Sequence, residues 1–309
     1  MNIIHLKYAV EIAKCGSINK AAEMLYVGQP NLSRAIKELE GSLGVEIFDR
    51  SVKGMKPTPE GEVFLRYANA ILKQVDEVEN LFKGTAPNKK RFSISVPRAS
   101  YIAKAFADFS VSVNRQSDAE IIYKETNALR AIKNITEEDY KLGIIRYAEH
   151  FDRYYKETLE EKGMNYELVA QFGYVLIMSS ENPLAAKQEI TFCDLEDYVE
   201  IAHADPFVPS VPLSEVKKEE LPDNIRRRIF VFERASQFEL LSSNSKTFMW
   251  VSPVPKDLLQ RYGLVQRVCT ENKKIYKDVM IYKKDYQLSE LDSLFVSELC
   301  KCKRQVFGR

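Results

Sequence analysis

The chain has 309 residues, 45 % of them hydrophobic and 29 % charged, which is the makeup of an ordinary globular protein and too long for one core. Lysine and arginine number 45 against 44 aspartates and glutamates, so positive charge for a polyanionic partner has to be local. No stretch approaches the roughly 18 uninterrupted apolar residues of a membrane span, and Met1 to Lys7 lacks the pattern of a signal peptide. A cytoplasmic chain without a membrane partner is expected. Five scattered cysteines (Cys15, Cys193, Cys269, Cys300, Cys302) suit reduced thiols better than a disulfide framework, with sensing by Cys193 and Cys269 a minor alternative.

In chain order, Leu6, Val10 and Ala13 recur at helical spacing. Gly16 can close that helix and Ser17 can cap the next, which carries Ile18, Ala21, Ala22 and Leu25. Tyr26-Val27-Gly28 is a short turn, and Gln29-Pro30 opens a third helix, with proline suited to its first turn. Leu32, Ala35, Ile36 and Leu39 form its buried stripe, which leaves Gln29, Asn31, Ser33, Arg34 and Lys37 at its start or on its open face. Val45-Glu46-Ile47-Phe48 alternates as a strand does, and Arg50 to Lys56 reads as a basic hairpin tip. Thr58 and Pro59 predict the start of a long helix, residues 59–84.

Along that helix Phe64, Ala68, Ile71, Val75, Val78 and Phe82 step by four and three, a heptad seam that predicts a dimer interface. Packing of the helix on its own domain is the competing reading. Gly84 to Lys90 carries helix breakers and predicts a domain boundary, with a hinge at 85–90. Beyond it, strand-like and helix-like segments alternate up to a last helix striped by Leu288, Leu291, Leu294, Phe295 and Leu299. That alternation predicts an α/β architecture with largely parallel sheets over 91–309. Phe92 to Val96 alternates more than a strand buried on both faces should, which predicts a cleft or edge position.

Three short helices with a tight turn before the third, then a basic hairpin, describe a winged helix-turn-helix over residues 1–58. In that arrangement the third helix enters the major groove while the wing meets phosphates. The spacing of Gly16-Ser17-Ile18, Ala21-Ala22, Leu25, Gln29-Pro30, Leu32-Ser33, Ile36, Leu39-Glu40, Leu43-Gly44, Ile47-Phe48, Arg50, Thr58 and Gly61 resembles the signature of LysR-type transcription regulators. Three positions depart from it. Lys53 stands where the family often has arginine, Pro57 where it has leucine, and Glu60 where it has alanine.

The resemblance implies a homodimer or homotetramer paired through the long helix and bound to partly palindromic promoter DNA. RNA polymerase is a possible further partner. It also implies a C-terminal domain like a periplasmic binding protein, with one subdomain at about 91–165 plus 270–309, the other at about 166–269, and a small effector between them. On this reading the DNA contacts are Gln29, Pro30, Asn31, Ser33, Arg34, Lys37, Arg50, Lys53 and Lys56. Gln29 suits adenine, and ion pairing of Arg34 or Lys37 with Glu38 or Glu40 is the competing use.

Effector contacts are expected at Ser100 and Tyr101 after the first sheet strand, Thr126 and Asn127 after the second, and His203 and Phe207 in a proline-rich loop. Helix N-termini favour anions, so an organic anion such as a small carboxylate is the expected class. The stretch around Trp250 lacks the glycine-rich turn common in the family, which implies an altered or smaller cleft.

A standalone solute-binding protein would carry an export signal and no winged helix. An enzyme is disfavoured because the three histidines (His5, His150, His203) are far apart and no phosphate-cradling loop, metal-ligand cluster or nucleophile elbow occurs. No cofactor is expected.

Overall fold

The computed structural model describes residues 2–51, 54–83, 90–114, 118–204 and 225–308. The chain divides into two units, Met1–Asn88 and Lys89–Arg309. The expected hinge at 85–90 lies, apart from Lys90, outside the described residues.

Local capping chemistry sets the N-terminal helices. Helix α1 (Ile3–Cys15) starts at Asn2, whose side chain accepts from the Ile4 N–H, and stops at Gly16, which takes the left-handed conformation (φ 63°). Ser17 caps α2 (Ile18–Met24), and Gly28 precedes α3 (Gln29–Leu43), which has Pro30 in its first turn. Leu6, Ala9, Ile12, Ala21, Leu32, Ile36 and Leu39 bury the inner faces of these helices in one core.

Strands β1 (Phe48–Ser51) and β2 (Gly54–Pro57) form an antiparallel wing, so the strand expected at 45–48 lies three residues further on. The cause is a set of competing partners for the backbone of 46–48. Glu40 Oε1 accepts from the Ile47 and Phe48 N–H groups at 2.9 and 3.2 Å, and Thr58 Oγ1 donates to Glu46 O at 2.6 Å. Thr58 Oγ1 also accepts from the Gly61 N–H at 2.9 Å, which caps α4 (Pro59–Lys83).

The second unit holds two five-stranded sheets. The first has the order β4 (Ala119–Glu125), β3 (Lys90–Val96), β5 (Leu142–Ala148), β12 (Ile275–Lys283), β6 (Met164–Gly173). The second has the order β11 (Leu264–Arg267), β7 (Val175–Ser179), β10 (Thr247–Val251), β8 (Val199–His203), β9 (Arg227–Val231). Helices α5 (Ser100–Val113), α6 (Ala128–Glu137), α7 (Asp152–Glu161) and α10 (Glu290–Phe307) go with the first sheet, α8 (Arg234–Ser243) and α9 (Lys256–Arg261) with the second.

Three expectations are corrected here. The sheets are mixed rather than largely parallel: β3 pairs in parallel with β4 and β5, and β8 with β9 and β10, but β5–β12, β12–β6, β7–β10 and β7–β11 are antiparallel. The antiparallel strands β6, β7, β11 and β12 are those by which the chain passes between the sheets. The lobe boundary lies at about 174 rather than 165, because β6 pairs with β12 from Gly173 back to Met164 and so belongs to the first lobe. Strand β3 is interior, so of the cleft and edge positions expected for it the edge is excluded. Its polar positions have their own partners: Ser95 Oγ and the Asn134 amide are 2.7 Å apart, and Ser93 Oγ accepts from the Lys141 N–H.

Candidate nucleic-acid interface and effector cleft

On α3 the apolar stripe is buried and the polar face is open. Gln29, Pro30, Asn31, Arg34 and Lys37 are exposed, and Ser33 is half-buried. Among the described residues neither Arg34 nor Lys37 makes an ion pair, and Glu40 is turned inward to the backbone of 47–48. The fourfold and threefold steps from Pro30 to Arg34 to Lys37 place them along one face.

The wing is fastened to the helices by the Met55 N–H, which donates to Gly16 O at 2.9 Å, and Lys56 is exposed on its second strand. Arg50 lies opposite Met55 in the ladder, and Lys53 lies outside the described residues. Sequence reasoning missed Tyr26. It occupies the turn before α3 in a left-handed conformation (φ 54°), is 96 % exposed, and borders a shallow depression shared with Asn19, Glu23 and Gln29. Its only sequence signal is its place in a turn that precedes an exposed glutamine.

Helix α4 divides the predicted seam. Ala68 is 1 % exposed and is corrected from dimer contact to domain packing, while Phe64 and Ile71, half-buried, pack beside it on the core of their own unit and keep part of their surface open. Val75 is half-buried and Val78 exposed, while the surroundings of Phe82 lie outside the described residues. An apolar pair on another face, Val63 and Tyr67, is open to solvent. A four-and-three repeat marks an apolar stripe but does not say which partner covers it.

In the second unit, Ser100 opens α5 directly after β3, and Thr126 follows β4 with its N–H bonded to Val96 O, so the two strand ends lie side by side. Both side chains are buried. Asn127 Oδ1 caps α6 by accepting from the Arg130 N–H at 2.9 Å. Tyr101 is corrected from ligand contact to core: it is fully buried, and its hydroxyl donates to Asp278 Oδ2 at 2.5 Å. Burial, then the neighbouring Asp278 carboxylate, pushes this phenol well above its ordinary value, so it stays a donor. Phe207 lies outside the described residues.

His203 ends β8 in the opposite lobe. Its Nδ1 is closed off from solvent without a hydrogen-bond partner. Burial, then the positive charges of Arg98, Arg146 and Arg234, pushes the imidazole down to about 3, so it is neutral at physiological pH. Those arginines act on His203 and, with their partners Glu125 and Asp278, are charged groups that sequence reasoning did not name. Arg98 Nε donates to Phe232 O at 3.0 Å and Arg234 Nε to Glu125 Oε1 at 2.7 Å, each bond joining one lobe to the other.

Among the described residues no helix is long and apolar enough to cross a membrane, and no group of three or more metal-ligating side chains occurs.

Residues 3–62 match the family model described as "Bacterial regulatory helix-turn-helix protein, lysR family". The nitrogen assimilation regulatory protein nac of Escherichia coli is 32 % identical over 41 % of this chain and 46 % of its own length. The Hca operon transcriptional activator HcaR of the same organism is 28 % identical over 67 % of this chain and 66 % of its own. The chain thus spans about half to two thirds of the length of these curated relatives. Full-length CbnR, solved in complex with its target DNA, superposes with a TM-score of 0.60 at 17 % identity, covering 98 % of this chain and all of that one, which is a likeness of fold.

Proposed function

We propose that this chain, whose residues 3–62 match the lysR-family helix-turn-helix model, is a LysR-type, sequence-specific DNA-binding transcription regulator whose promoter binding responds to a small molecule in its C-terminal unit. The observation that carries this reading is the open face of α3. It presents an amide, a guanidinium and an ammonium (Gln29, Arg34, Lys37) that are not engaged in ion pairs among the described residues, on a helix rigidly held by a buried stripe. A guanidinium or amide so placed pairs bidentately with guanine or adenine in the major groove, and Lys56 on the wing supplies a phosphate contact.

In this proposal residues 1–58 read DNA, α4 pairs two copies through its outer half and exposed face (Val75, Val78, Val63, Tyr67), and the protein works in the cytoplasm. The effector is an organic anion bound among Ser100, Thr126 and His203, where three arginines act on a neutral imidazole whose Nδ1 lacks a partner. RNA polymerase meets the bound regulator at the promoter. Effector and DNA must then alter each other's affinity by the same factor.

The test is a footprint beside the protein's own gene at low salt, with and without small organic acids. Protection of a dyad-related site that changes with one acid supports the reading, and bare DNA at low salt sinks it. Replacing Arg34 with alanine is expected to weaken operator binding by about 1–3 kcal/mol and to relax preference at one base pair. Gel-shift titration checks this, and an unchanged affinity removes Arg34 from base readout.

A further inference from the structure

Arg234 opens α8, a helix of ten residues whose N-cap, Glu233, supplies no side-chain bond. A guanidinium there adds positive charge to the positive end of a helix, a placement that demands an anion. Glu125, the last residue of β4 in the other lobe, supplies it. Its Oε1 accepts from Arg234 Nε at 2.7 Å and from Tyr123 Oη at 3.3 Å, with the ion-paired side chains only 20 % and 18 % exposed. Arg146, the neighbouring guanidinium, is already matched by Asp278. Among the described residues Arg234 and Glu125 thus form a charge pair that spans the lobes, near a His203 Nδ1 that is enclosed and lacks a partner.

We infer that Glu125 stands in for the anionic group of the effector, and that a small carboxylate enters the cleft by taking the place of Glu125 on Arg234. This rests on the cleft being the effector site. The incoming carboxylate accepts from Arg234, and the His203 imidazole offers it a second donor. Glu125 is left with Tyr123, and the Arg234–Glu125 tie between the lobes is broken. Ligand arrival and release of that tie are then one event, which gives the binding step a direct grip on lobe geometry.

Full-length wild type, E125Q and R234Q are compared while sodium acetate replaces sodium chloride at constant ionic strength. Amide hydrogen exchange over residues 119–126 and 229–238 is read by mass spectrometry. In E125Q these segments are expected to exchange faster without acetate and to be protected by it at a half-effect concentration about tenfold or more below that of wild type. R234Q is expected not to respond. An E125Q protein blind to acetate, or one that responds just as R234Q does, overturns the inference.

If E125Q does not fold, E125D keeps the charge at shorter reach and is expected to fall between wild type and full loss of the tie. An acetate response identical to wild type in E125D then counts against the inference. The footprint separates this from the function itself. Acetate protection in E125Q with an acid-blind footprint retains the anion site and removes sensing. An acid-sensitive footprint with an E125Q variant identical to wild type does the reverse.

Discussion

Asp278→Ala is expected to destabilise the C-terminal unit by about 3–5 kcal/mol, the range for removing one partner of a buried ion pair. Asp278 is fully buried and Arg146 is only 10 % exposed. The pair is bidentate, with Arg146 Nε and one terminal nitrogen donating at 2.7 and 2.6 Å, and the Tyr101 hydroxyl donates to the same carboxylate. Removing the carboxylate leaves a guanidinium that cannot lose its proton. Its remaining company is the face of Phe172 at 4.9 Å and of Tyr174 at 5.8 Å, which is attractive but far weaker than a carboxylate.

Water entering between β5 and β12 is the remaining recourse, so hydrogen exchange should rise first in those two strands. Urea unfolding followed by circular dichroism measures the loss. A second variant isolates the cause. Arg146→Met combined with Asp278→Leu removes both charges and should be markedly less destabilised than Asp278→Ala alone. A loss under about 1 kcal/mol for Asp278→Ala would show that the pair is solvated and not part of the core.

The contrast between this triad and the N-terminal helices shows which parts of the fold are legible in the sequence. Gly16, Ser17, Pro30 and Thr58 act on backbone groups within a few residues of themselves, so their chemistry can be read locally, and the helices begin and end around them. The open face of α3 is legible for the same reason, because a 3.6-residue stripe fixes what is left outside. Arg146 and Asp278 are 132 positions apart, and nothing near either residue announces the other.

Other misreadings have equally specific causes. Strand β6 is an edge strand with most of its residues exposed or half-buried, so its sequence does not mark it as part of the first lobe, and the boundary implied by the family resemblance falls about nine residues early. Wing strand β1 starts late because Glu40, seven residues upstream of Ile47, captures backbone donors that a propensity argument assigns to a ladder. Ser100 and Thr126 were named by the rule that ligands gather at strand ends, and His203 by its place beside a proline-rich loop. The arginines were not, because each is placed by a residue distant in the chain: Arg98 and Arg234 by the opposite lobe, Arg146 by Asp278 across its own sheet.

Gly61 supplies a test in which propensity and geometry predict opposite signs. Glycine inside a helix is less favourable than alanine by about 1 kcal/mol, so Gly61→Ala in α4 should stabilise the protein if the helix alone decides. A methyl group on Gly61 would lie 2.0 Å from Ile47 O and 2.9 Å from its carbonyl carbon, both backbone atoms of the turn that leads into the wing. Relief requires α4 and that turn to separate. Separation stretches the Thr58 bonds to Glu46 O and Ile47 O together with the Glu40 bonds to the Ile47 and Phe48 N–H groups.

With each such bond contributing about 0.5–1.5 kcal/mol net, a loss of two or three outweighs the gain in propensity, and Gly61→Ala is expected to destabilise by about 2–4 kcal/mol. The wing would also lose its register against α3, so operator affinity should fall even where the protein remains folded. Gly41→Ala is the matched control. It sits in α3 with nothing near the added methyl, and a gain of about 0.5–1 kcal/mol is expected. Thermal or urea unfolding of the two variants side by side decides the matter. Opposite signs place the Gly61–Ile47 contact among the constraints that aim the wing, and two stabilised variants would mean that the turn yields to the methyl and that the wing is held by its other bonds.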